Sequence, residues 1–193
     1  MQRFQYQLVA LLTLTLCFAN LHAAPQANKA NSLANAKSEF LRRASSQPVA
    51  WLTLGPDAFA LARQTGKPFL IEIGASWCPF CAEMDNDSYS NPQLATFLNH
   101  HYVAVRVDYD AQPELAHRLE LAQSRAKLPS GFPLTMLVTP DGKLFDGGGY
   151  FPASPAKHKP SFSQFLKQGA AEFISKRFPV EPLDITPELQ AAR

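Results

Sequence analysis

Cys78 and Cys81 stand two residues apart in "GASWCPFCAEM", residues 74–84. A pair so spaced has three chemical uses: a redox dithiol, half of a zinc site, or a structural disulfide. A disulfide closing so short a loop takes little entropy from the unfolded chain and staples almost nothing. A structural zinc site needs a second pair of Cys or His ligands. His100, His101, His117 and His158 have no ligand-pair spacing, so no metal is expected. The redox dithiol is the reading these residues favour.

A reactive thiol needs an element that favours its anion. "FLIEIGA", 69–75, is a nearly continuous apolar run, as in a central strand covered on both faces. "CPFCAEMDNDSY" reads as a helix starting directly after it, with Cys78 at the N-terminus. Unpaired amides and the macrodipole there favour negative charge. The thiolate is the nucleophile, so Cys78 is the expected attacking group. Pro79 suits an early helical position, where its missing N–H costs nothing. Cys81, one turn on, faces back toward Cys78 and is the expected resolving thiol, the more buried of the two.

Glu72 interrupts the apolar strand six positions before Cys78. It is either a strand-end acid turned to solvent or a buried acid. Burial would raise its pKa and let it exchange protons near neutrality.

Other elements frame this unit. "VAWLTL" (49–54) reads as an edge strand. "GPDAFALARQTGKP" is a complete helix, with Pro56 near its start and Gly66 at its end. Asn91-Pro92 caps a helix, 102–110 is a second strand, and 113–123 is another helix. "FPLTMLVTPDGKLF" (132–145) is a hairpin around Pro-Asp-Gly, and 161–178 is a closing helix. Phe97, Phe145, Tyr150 and Phe151 read as packing residues. The order is that of an α/β domain over 48–178, with a central mixed sheet flanked by helices. Residues 25–47 read as a leader with a short amphipathic helix bearing Leu33, Ala36, Phe40 and Leu41. Residues 179–193 read as a loosely held tail.

The N-terminus has the order of a secretory signal over 1–24: Arg3, an apolar run from Leu8 to Leu21, then small residues. Leu16 before Cys17 speaks against a lipoprotein. Once the signal is cleaved, Cys78 and Cys81 are the only cysteines left, in a compartment where disulfides persist. A formal net charge of +2 offers no electrostatic case for nucleic acid or for strong membrane association.

"WCPFC" after a buried strand resembles the active site of the thioredoxin superfamily. The longer stretch from "KPFLIEIGASWCPFC" to "GFPLTMLVTPDGKLFDGGGYFP", about 67–152, is similar to the thioredoxin-like domain of the spermatogenesis-associated protein family. It is also similar to the C-terminal domain of the disulfide reductase DsbD. The resemblance implies a thioredoxin fold and a thiol–disulfide oxidoreductase, with Cys78 and Cys81 forming the active disulfide and no cofactor. It implies a cis bond at Pro133 beside the dithiol, leaving the Phe132 backbone to pair with a substrate strand. Trp77, Pro79 and Phe80 would complete the substrate-binding surface. Glu72 would match the buried proton acceptor of the resolving cysteine.

One departure bears on direction. The dipeptide inside the pair is Pro79-Phe80, with no cationic side chain to stabilise a thiolate, which points away from an extreme oxidant. The expectation is a periplasmic reductase of protein disulfides, recharged by another redox protein embedded in the membrane. The alternatives are an oxidase or isomerase, or a non-enzymatic partner in protein or cytochrome maturation.

Overall fold

The computed structural model describes residues 31–190; the expected export signal lies outside them. Five strands form one mixed sheet: β1 (Phe69–Gly74), β2 (Val103–Asp108), β3 (Leu134–Val138), β4 (Lys143–Gly148) and β5 (Leu183–Asp184). Their spatial order is β2-β1-β3-β4-β5. β1 pairs parallel with β2 and antiparallel with β3, so it is central. The helices are α1 (Glu39–Arg43), α2 (Pro56–Thr65), α3 (Pro79–Met84), α4 (Pro92–His101), α5 (Pro113–Arg125), α6 (Phe162–Ser175) and α7 (Thr186–Gln190).

Local chemistry sets the helix ends. Gly66 closes α2 in the left-handed region at φ 66°, where glycine carries no Cβ penalty. The Asn91 side chain accepts from the amides of Gln93 and Leu94 and starts α4. Ser161 and Gln164 form a reciprocal capping box on α6.

The two-residue period of the strands sorts side chains into two apolar layers. Phe69, Ile71, Ile73, Val103, Val105 and Val107 face the layer shared with α2 and α5. Leu70, Ala104 and Leu137 face the opposite layer, which holds both cysteines and α6 residues. Glu72 and Arg106 have the parity of this second layer. The register sets Glu72 beside Arg106 on one side and Thr135 on the other. Strand periodicity therefore delivers an acid and a base to the face that carries the dithiol.

Three expectations are corrected. Residues 49–54 are not a strand; only Leu52 forms a bridge, to Val105 at the edge of β2. The chain kinks there, because Trp51 N–H donates to Val49 O while Trp51 O accepts from Ser32 N–H. The described part of the leader is no separate appendage: Leu33, Phe40 and Ala44 are buried in the dithiol-side core. Its helix is also broken, since Ala36 and Ser38 are extended. The tail is held as far as Gln190: β5 adds to β4, and Ile185 and Leu189 are buried against the α2–α5 layer.

Candidate active site

Cys78 is the N-cap of α3, and its Sγ accepts a hydrogen bond from the Cys81 amide at 3.3 Å. Sulfur thus takes the place of the oxygen that usually caps a helix. Both cysteines are free thiols. The expected contrast in exposure is small: Cys78 is 4% exposed and Cys81 1%, because the Cys78 sulfur is turned inward onto that amide. Cys81 is held firmly as a thiol. Burial pushes its pKa well up, and the nearby Glu72 charge and the Cys78 contact push the same way.

Glu72 is fully buried, which excludes the solvent-facing alternative. A methyl group placed on Gly74 would lie 2.6 Å from Glu72 Oε1 and 3.1 Å from Cys81 Sγ. The Glu72 carboxylate and the Cys81 thiol therefore converge on the gap that Gly74 leaves open. Burial pushes the Glu72 pKa up to about 7; Arg106 pulls it back, and the charges of Asp85 and Asp108 add to the rise.

Arg106 is the main residue that sequence reasoning missed. It is 1% exposed. Its Nε lies 3.0 Å from Glu72 Oε2, and its two terminal nitrogens reach Asp85 Oδ1 at 2.7 Å and Oδ2 at 2.9 Å. The Glu72 contact is an ion pair without hydrogen-bond alignment, so neither carboxylate oxygen has a hydrogen-bond partner. A buried carboxylate so poorly satisfied favours its protonated form. The sequence did hold a signal: a base inside the β-branched run "VAVRV" mirrors the acid inside "FLIEI".

Pro133 follows a cis peptide bond and directly precedes β3. Ile73 pairs with Leu134, so Pro133 comes alongside the end of β1 that leads into Cys78. Aromatic side chains flank the dithiol. Trp77, 59% exposed, donates its indole N–H to Asp110 at 3.1 Å and meets Tyr109 and Phe132 edge-on. Phe80, 50% exposed, leans on Tyr150 with ring centres 4.9 Å apart. Tyr150, read as packing, in addition donates its hydroxyl to Glu83. Among the described residues, no three His, Cys, Asp or Glu side chains cluster as a metal site.

The family model Thioredox_DsbH, described as a protein of unknown function, DUF255, matches residues 30–183. Spermatogenesis-associated protein 20 of Rattus norvegicus is 32% identical over 143 residues, covering 74% of this chain and 18% of that protein. An uncharacterized Caenorhabditis elegans protein is 31% identical over 122 residues, covering 63% of this chain and 17% of that one. The chain thus spans less than a fifth of these curated relatives. Several solved structures are also similar. "DsbH Oxidoreductase" has a TM-score of 0.49 and 19% identity, over 64% of this chain and 85% of that one. A disulphide isomerase from Xylella fastidiosa Temecula1 has a TM-score of 0.44 and 23% identity, over 61% and 86%.

Proposed function

The chain belongs to the Thioredox_DsbH family, a thioredoxin-superfamily domain, and from that premise we propose that it is an exported thiol–disulfide oxidoreductase that reduces protein disulfides. The observation that carries the reading is the convergence of Cys81 Sγ and Glu72 Oε1 beside Gly74, behind a Cys78 that caps the active-site helix.

The chemistry balances within these residues and the substrate. Cys78 Sγ, as thiolate, attacks one sulfur of a substrate disulfide. A Cys78–substrate bond forms, and the other substrate sulfur leaves as a thiolate and takes a proton. Cys81 then passes its proton to the Glu72 carboxylate and attacks Cys78 Sγ. The Cys78–Cys81 bond forms, the mixed disulfide breaks, and the second substrate sulfur leaves as a thiolate. Two electrons have moved from protein to substrate, with no cofactor. Continued turnover requires a second dithiol protein as reductant. The apolar edges at Trp77 and Phe132 and at Phe80 suit an extended polypeptide laid beside Pro133. The apolar run and small residues of 1–24 support export to the periplasm.

Trapping with Cys81→Ser tests the enzyme reading. The variant should accumulate mixed disulfides through Cys78 with protein partners, and wild type should reduce a disulfide-bonded test protein when supplied with a reductant. No adducts and no reduction would leave a binding role. The potential tests direction. It should fall in the more reducing half of the range from thioredoxin to the strongest periplasmic oxidase, roughly −270 to −120 mV. A value at the oxidising end would make the protein a disulfide donor.

A further inference from the structure

The Glu72–Cys81 pair is closed on one side by a segment that belongs neither to the sheet nor to the active-site helix. Phe40 of α1 is 2% exposed, and its ring centre lies 4.2 Å from the Arg106 guanidinium carbon. Its Cζ would come within 2.6 Å of the same methyl position on Gly74 that Glu72 Oε1 and Cys81 Sγ approach. Gln47 follows on the same segment. Its amide donates to Asp85 Oδ1 at 2.9 Å, and its carbonyl accepts from the Trp51 indole at 2.7 Å. The Ser38 hydroxyl ties the start of α1 to Asp108 at the end of β2. The family match begins at residue 30 and so includes this segment.

We propose that residues 31–47 are a working part of the redox site: Phe40 seals the Glu72–Cys81 pair from water, and Gln47 steadies the carboxylate that holds Arg106 against Glu72. The inference rests on the reading of Glu72 as proton acceptor. Phe40 and Gln47 line a cavity of about 260 Å³ that also reaches Cys78 and Asp85, so solvent-sized space begins at the seal. A carboxylate cut off from water holds its proton to higher pH, because burial penalises the charged form. The ionisable groups facing Glu72 are Arg106 and Asp108 from β2, Cys81 from α3, and Asp85 and Tyr89 from the π-helical segment Asp85–Tyr89 that follows it. All of them remain when Phe40 is changed. A shorter side chain at 40 alters the access of water and also removes the ring that lies on Arg106; Leu, which loses the ring but keeps an apolar plug, separates the two effects. Phe40 is a positioning residue: it touches the acceptor's surroundings and not the substrate.

The test follows the Glu72 carboxyl by carbon-13 NMR in the reduced full chain, for wild type and Phe40→Leu, Phe40→Val and Phe40→Ala. Leu keeps an apolar plug and should hold the midpoint within about 0.3 pH unit. Val and Ala should lower it stepwise, by about one unit in the Ala variant, as the carboxylate regains water. The acid limb of the resolution rate should move by the same amount, with the first attack by Cys78 unchanged within about twofold. If Ala does not fold, the Leu-to-Val comparison decides. An unchanged midpoint in a folded Val or Ala variant overturns the seal. A wild-type protein without exchange activity would overturn the functional reading instead, while the titration still judges the seal.

Discussion

Glu72 and Arg106 are direct partners across the parallel β1–β2 ladder, 3.0 Å apart and both without side-chain exposure. The pair is lopsided. Arg106 also binds both oxygens of Asp85, while Glu72, among the described residues, has the one unaligned ion pair and no hydrogen bond. The two terminal nitrogens of the guanidinium are bonded while its Nε and both Glu72 oxygens are not, so the carboxylate is the poorer served of the two groups and favours its proton.

That imbalance sets a pH dependence of stability. The folded Glu72 pKa is raised to about 7 from the ordinary carboxylate value of 4.5. Between these values the native state holds a proton that the unfolded chain has lost, so stability falls as pH rises through the window. Below it there is no penalty; above it the penalty is complete, on the order of 3 kcal/mol. Glu72→Gln removes the titration. Urea unfolding should find the variant more stable than wild type at pH 8, with the difference closing toward pH 4.5. A constant difference across that range would show that Glu72 does not titrate there.

How much of this could be read from the sequence follows from the range of each interaction. The N-cap position of Cys78, the strand before it and the acid at Glu72 are short-range features, set by period and capping within about ten residues. Arg106 was half legible: a charge inside an apolar strand is a visible signal, but its pairing with Glu72 depends on the parallel register of β1 and β2. Phe40 and Gln47 were illegible in their roles. They reach the site from residues 31–47, where the periodicity is weak and broken, and their contacts exist only after the chain has folded. The tail misled for a related reason: prolines punctuate it, yet Ile185 and Leu189 find a ready apolar surface against the α2–α5 layer.

Arg106 should be among the costliest residues to remove. Arg106→Leu would leave Asp85 without its fork of hydrogen bonds and Glu72 without the counter-charge of its direct partner. Removing one member of a buried pair costs about 3–5 kcal/mol through the charge left behind. Adding Glu72→Gln to Arg106→Leu should recover part of that loss, since one of the stranded acids is then neutral. Denaturant midpoints of the single and double variants measure this. Additive losses would mean that the two side chains are not coupled.

The two thiols should differ in reactivity although both are buried. Cys81 is held protonated by burial and by the neighbouring Glu72, whereas Cys78 stands at the helix start. Iodoacetamide at pH 7 should modify Cys78 first in the reduced protein, and Cys81 about tenfold or more slowly. In denaturant the two rates should converge. Mass spectrometry of timed digests reads both sites, and equal rates in the folded protein would remove the basis for naming Cys78 the attacker.

The sharpest expectation concerns the second chemical step. Once Cys78 carries the substrate, Cys81 must lose a proton that burial makes hard to release. Glu72 Oε1 reaches the gap at Gly74 that Cys81 Sγ also approaches. A base with a pKa near 7 can take that proton at neutral pH and still return it in the reverse direction. Glu72→Gln keeps the shape and removes the acceptor. Resolution should slow by about 10- to 100-fold, at or just below the usual range for one general base. The first attack should change little, because Cys78 draws on the helix terminus and not on Glu72. Rapid mixing with a disulfide peptide separates the two phases: mixed disulfide should build up in the variant and stay fleeting in wild type. Equal resolution rates in the two proteins would sink Glu72 as acceptor and leave it a buried partner of Arg106 alone.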